Sequence, residues 1–207
     1  MIDINDPQVF NKWRAEYHNM TDAEHLEFCD AAESKWPSQQ NFTYENYQRL
    51  FNEVRMRTHV VEIGGWKGEL AKKCLSHFPC IASWTNKDFC LAAISKTVPN
   101  VGDVYCAEWQ DSPTWFRKPR NSEYNICIAA HAIEHLSDDH LLELLDWIKG
   151  IPTVIFEAPI NYEENKWHNY YGTHILAMGW NRINAEMEVR GYSNECFNDH
   201  CFLYRIK

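Results

Sequence analysis

From residue 59 onward, short apolar runs alternate with stretches of helical period. Val60, Val61 and Ile63 form the first run, which has strand length and no helical repeat. Leu70, Ala71, Cys74, Leu75 and Phe78 follow at helical spacing, with a glycine-bearing turn between. The same alternation predicts strands at 59–63, 80–84, 104–107, 124–129 and 153–157. It predicts helices at 68–78, 87–96, 137–149 and 174–190, with Ser137 as the cap of the third. Strands that alternate with helices form a parallel sheet with crossover helices. Two last strands, 192–197 and 201–206, are joined by Asn198-Asp199-His200 and predict an antiparallel hairpin.

Ahead of this region the pattern is helical throughout. Val9, Phe10, Trp13 and Tyr17 share one face. Thr21-Asp22-Ala23-Glu24 has the form of a capping box and opens a second helix carrying Leu26, Cys29, Ala32 and Trp36. Pro37 ends it, and a third helix from about residue 43 buries Tyr47, Leu50, Phe51 and Val54. The expected organisation is a helical lid over 1–57 and an α/β domain over 58–207.

Composition narrows the function classes. A chain of 207 residues that is 45% hydrophobic and 14% aromatic has enough apolar material for a core. Its net charge of −9 and lack of any Lys/Arg run argue against nucleic acid as a partner, because phosphate contacts need clustered cations. No apolar stretch is long enough to span a bilayer, so no membrane partner is expected. The eight cysteines include no Cys-x-x-Cys pair, and several sit in apolar runs as small hydrophobes. Reduced thiols and a cytoplasmic location are the expectation.

The candidate chemistry begins at Glu62-Ile63-Gly64-Gly65-Trp66-Lys67-Gly68, a strand end followed by three glycines in five residues. Glycine lets a backbone approach a ligand where a Cβ would block it, and strand–glycine turn–helix is the half-unit on which nucleotide-like cofactors sit. A second segment, Ala130-His131-Ala132-Ile133-Glu134-His135-Leu136, follows the apolar fourth strand directly. Histidine titrates near neutrality, which suits it to proton transfer. The letters His-x-x-Glu-His also match a zinc-hydrolase motif, which requires both histidines on one helix.

With these two motifs in this order, the chain resembles class I S-adenosylmethionine-dependent methyltransferases of the small-molecule type. Glu62, Gly64 and Gly68 match that family's first motif, while Trp66 stands at the middle glycine and Gly65 comes one place early. The resemblance implies an α/β, doubly wound, mostly parallel seven-stranded sheet with a C-terminal antiparallel hairpin and an N-terminal helical lid. It implies S-adenosylmethionine as cofactor, held by Glu62, Gly64, Gly65 and Gly68 and by Ala130 and His131. Family members end the second strand in an acid that grips the ribose. Here Trp84, Thr85 and Asn86 occupy that region, Asn86 as a hydroxyl partner and Trp84 as an adenine stack or a core residue. Glu108, beside Trp109, corresponds to the acid that receives the adenine amine.

His131 and His135 are the implied catalytic residues, His131 as general base or orienter of the acceptor. Tyr162, Trp167, His168, Tyr171 and His174 lie in an aromatic, polar loop after the fifth strand, where acceptor contacts are expected. The implied activity is methyl transfer to a hydroxyl or amine of a small molecule or sugar. No metal is assigned, although some methyltransferases bind a divalent cation at a related motif, for which His168 or His174 would complete the set. The rival reading is a methyltransferase-like subunit that binds without catalysis.

Overall fold

The computed structural model describes residues 21, 23–24, 27, 44–54, 56–65, 68–88, 105–106, 124–164 and 176–207. Apolar runs of the predicted kind form a single mixed sheet. Its strands are β1 (Thr58–Ile63), β2 (Ile81–Asp88), β3 (Tyr105–Cys106), β4 (Ile126–Ala130), β5 (Thr153–Glu157), β6 (Tyr192–Asn198) and β7 (Cys201–Ile206). Six of them run five residues or more, and β3 is a two-residue pairing at one edge. The spatial order is β3-β2-β1-β4-β5-β7-β6. The first five strands pair in parallel, and the hairpin of β6 and β7 adds antiparallel to β5.

Four α-helices flank the sheet among the described residues: α1 (Tyr44–Glu53), α2 (Glu69–His77), α3 (Asp138–Ile148) and α4 (Trp180–Val189). Side chains alternate across a strand, so each strand feeds two cores. Val60, Trp84, Ile128 and Ile155 pack with α1 and α2, whereas Val61, Ile63, Cys127, Ala129 and Phe156 pack with α3 and α4. Parallel strands buried on both faces account for the near-continuous apolar run of β4, buried at all five positions.

Local signals open two of the helices where the sequence places them. Ser137 Oγ accepts the N–H of His140 at 3.2 Å and caps α3. At the capping box, Glu24 Oε2 accepts the Thr21 N–H at 2.8 Å and Thr21 Oγ1 accepts the Glu24 N–H at 3.4 Å.

Three expectations change. The second strand does not stop at Trp84 but continues to Asp88, so Lys87 and Asp88 are strand and not the start of a helix. The reason is parallel pairing: Thr85, Asn86 and Lys87 lie opposite Val61, Glu62 and Ile63 of β1. The fourth helix begins at Trp180, with Gly179 at its N-cap. Third, α1 was expected in the lid but packs on a face of the sheet. Tyr47, Leu50 and Phe51 are in the core, and Phe51 stacks on Phe78 at 5.0 Å between ring centroids. The helix predicted before Thr21, and most of the one after it, lie outside the described residues.

Candidate functional site

The sheet reverses its winding between β1 and β4, since β1 leads outward to β2 while β4 leads outward to β5. Ligands of open α/β sheets bind beyond the strand ends at such a switch point. Ile63 of β1 pairs with Ala129 of β4, so the two sequence motifs leave the sheet side by side. Their approach is close: a Cβ on Gly64 would lie 2.5 Å from the Cβ of Ala132.

The glycine turn depends on two conformations that favour glycine, with φ of +71° at Gly64 and +75° at Gly68. Gly65 is required for space. A Cβ there would collide with Asn86 Oδ1 and lie 2.6 Å from the carboxylate of Glu62. The Gly65 N–H donates to Asn86 Oδ1 at 3.0 Å, and the Gly64 N–H donates to the carbonyl of Lys87 at 2.7 Å. Glu62 and Asn86 are both buried. Gly68 then starts α2 without a side-chain cap.

Trp84 does not lie open at the strand end. Its indole is fully buried in the α1/α2 core, tilted against Phe51, and its Nε1–H donates to Glu62 Oε2 at 2.9 Å. The adenine-stacking role is corrected on that ground, because a ring with no exposed surface offers no face to a ligand. Thr85 is buried as well. β2 runs on past Trp84, Thr85 and Asn86 and closes at Asp88.

His131 follows β4 directly and has a backbone φ of +52°, the one non-glycine residue with positive φ among the described residues. This conformation costs energy for a side chain with a Cβ. The hydrogen bond from the His131 N–H to the carbonyl of Glu157, at 2.7 Å, holds it. The imidazole Nδ1 lies 3.6 Å from Glu134 Oε1, and Glu134 is buried within the 3-10 turn Ile133–His135. Burial works to lower the histidine's pKa, but the hydrogen bond and charge of Glu134, with the charge of Glu157, prevail and raise it above the ordinary value. His135 closes the 3-10 turn, its N–H donating to the carbonyl of Ala132 at 3.2 Å. The two histidines therefore do not share a helix, which removes the zinc-hydrolase reading. No group of three metal-ligating side chains converges among the described residues.

Of two further residues in this region, Glu157 has no role in the sequence reading, and Tyr47 figures there only as one of the first-lobe tyrosines, of which one or two are expected to reach the acceptor site. Glu157 ends β5 and is buried, and Tyr47 of α1 donates its phenol O–H to Glu157 Oε2 at 2.6 Å. The signal for Glu157 was available, since it is an acid closing an apolar strand, as Glu62 is. The Ala158 N–H bonds the carbonyl of His200 at 2.8 Å, tying the strand end to the hairpin.

Of the expected acceptor contacts, Tyr162 is placed against the hairpin. It is 41% exposed, its ring is edge-on to Phe202, and its phenol lies 3.6 Å from Cys196 Sγ. Trp66, Glu108, Trp109, Trp167, His168, Tyr171 and His174 lie outside the described residues. The chain re-enters beside the second motif, where the Leu176 N–H donates to the carbonyl of Glu134 at 3.3 Å.

No protein-family model matches the chain, and no curated protein matches it in sequence. Solved structures do match in fold. A SAM-dependent methyltransferase from Archaeoglobus fulgidus superposes with a TM-score of 0.64 at 18% identity, over 83% of this chain and 78% of that one. A TehB-like SAM-dependent methyltransferase from Corynebacterium glutamicum gives 0.61 at 9% identity, over 89% of this chain and 100% of that one. The methyltransferase domain of bacterial CtHen1 gives 0.57 at 14% identity, over 78% and 96%. The chain has the Rossmann-like fold of SAM-dependent methyltransferases.

Proposed function

We propose that this chain is a SAM-dependent methyltransferase acting on a hydroxyl or amine of a small molecule or sugar. The observation that carries the reading is the meeting of the two motifs at the switch point, with Gly64 against Ala132 and His131 held in a left-handed conformation beside them.

The residues present suit the cofactor. Gly64 and Gly68 at positive φ give a turn that side chains would obstruct. Asp88 puts a carboxylate-bearing residue at the end of β2, where the family holds the ribose, and Glu108 remains the candidate for the adenine amine. S-adenosylmethionine, when bound, supplies a methyl group made electrophilic by its sulfonium. The chain's part is to exclude water, align the acceptor and take up its proton. His131 is the proposed base: Glu134 and Glu157 favour the charged imidazole that results when its ring nitrogen accepts that proton. His135, Trp167, His168, Tyr171 and His174 remain candidates for acceptor contacts.

Another observation favours the rival reading of a non-catalytic binding subunit. Glu62 and Asn86 are already engaged by Trp84 and Gly65 inside the protein. Calorimetric titration with S-adenosylmethionine decides between them. The proposal expects saturable binding in the micromolar range, and no binding at millimolar cofactor would overturn it. A cytoplasmic location and a partner list without nucleic acid belong to the same proposal. No helix among the described residues is long and apolar enough to cross a membrane.

A further inference from the structure

Glu157 is held from two sides. Its carboxylate accepts the phenol of Tyr47 at 2.6 Å, and its carbonyl accepts the N–H of His131 at 2.7 Å. Tyr47 is fully buried and Glu157 is 4% exposed. An ionised carboxylate in such a place costs several kcal/mol unless donors and opposite charge compensate it. A short O–H···O⁻ bond is a strong compensation. Burial foremost, and then the charge of Glu157, push the Tyr47 phenol well above its usual pKa. Tyr47 therefore keeps its proton and acts as a fixed donor.

The charge of Glu157 also acts on the imidazole of His131, the residue whose N–H its carbonyl holds. Glu134 faces the same imidazole from the 3-10 turn. We propose that Glu157 is a positioning residue for His131: its carbonyl fixes the left-handed backbone that aims the imidazole, and its carboxylate, oriented by Tyr47, stabilises the imidazolium. In this arrangement α1 is a working part of the site through Tyr47. The logic is that of an acid behind a histidine base, in which the acid orients the ring and faces its charge without taking the proton. The proposal rests on the reading of His131 as proton acceptor.

The test uses the full chain without cofactor, labelled with isotope at histidine and titrated by NMR. Glu157→Gln keeps the shape and an acceptor for Tyr47 but removes the charge. It should lower the pKa of His131 by about half a unit or more. Tyr47→Phe withdraws only the phenol. By releasing the carboxylate from its fixed orientation it should shift His131 in the same direction by less, and it decides the matter if the first variant does not fold. A merely structural bond would change the melting temperature and leave the titration alone. A His131 pKa within about 0.1 unit of wild type in the folded variants would overturn the proposal. No cofactor enters this measurement. Failure of the wild type to bind S-adenosylmethionine would defeat the enzyme reading and leave the titration readable. An unmoved His131 in a cofactor-binding protein would defeat the positioning role alone.

Discussion

Trp84 on β2 donates its indole N–H to the carboxylate of Glu62 on β1 at 2.9 Å, inside the core shared with α1 and α2. The bond joins the tryptophan expected at the ligand to the acid expected beside it, and turns both inward. Trp84→Phe keeps most of the apolar volume and removes the donor. Leaving a buried carboxylate short of a partner costs about 1–3 kcal/mol. Urea unfolding should show a lower midpoint with an unchanged slope, and wild-type stability would show the bond to be dispensable.

Gly65→Ala probes the turn from the other side. The added methyl would lie 2.6 Å from Glu62 Oε2 and against Asn86 Oδ1, so either the turn or these two buried side chains must shift. Overpacking of this kind costs about 1–3 kcal/mol. Thermal unfolding should report that loss, and calorimetry should report weaker S-adenosylmethionine binding, by about tenfold or more if the full cost falls on the bound state.

The raised pKa of His131 links stability to pH with a definite sign. Desolvation opposes the shift, while Glu134 and Glu157 cause it. A histidine whose folded pKa exceeds its unfolded value adds stability that is complete below about pH 6.5 and is lost as pH rises through the folded value. His131→Asn tolerates the left-handed backbone and does not titrate. The wild type's stability relative to this variant should fall as the pH goes from acid to mildly alkaline, and a pH-independent difference in denaturant unfolding would contradict the assignment.

The thiols should divide by burial. Desolvation first, and then nearby carboxylates, push the thiols of Cys74 and Cys201 far up, and both are buried. Cys196 is exposed. A thiol reagent at pH 8 should label Cys196 in the folded protein and reach Cys74 and Cys201 only after unfolding, with mass spectrometry of the digest as the readout.

The parts of this fold that were legible in sequence are those where polarity and burial agree. Val60, Val61 and Ile63, the apolar run of β4, and the Ser137 cap each state their role locally. The second strand does not. Thr85, Asn86 and Lys87 look like a loop because polar residues normally leave the core, yet Thr85 and Asn86 are buried, and Asn86 bonds the Gly65 N–H. That partner lies 21 positions away, beyond the reach of any local pattern. The end of β2, at Asp88, was misplaced for this reason. The site was legible as two motifs but not as one place. Gly64 meets Ala132 only because the sheet sets β1 beside β4, and Tyr47 reaches Glu157 across 110 positions. Helical spacing marks Tyr47 as inward-facing and cannot say what it faces.

The position of α1 has a consequence for synthesis on the ribosome. Its partners arrive late: Glu157 follows Tyr47 by 110 positions, and Arg205, which bonds Glu53 at 2.6 Å, follows by 152. At about 5–20 residues per second, the helix waits on the order of ten to thirty seconds for the hairpin that completes its surroundings. Phe51 meets Phe78 and Trp84 early, so throughout that interval it is Tyr47 that remains apolar surface on the nascent chain, and this is the part of the helix open to a chaperone's cover.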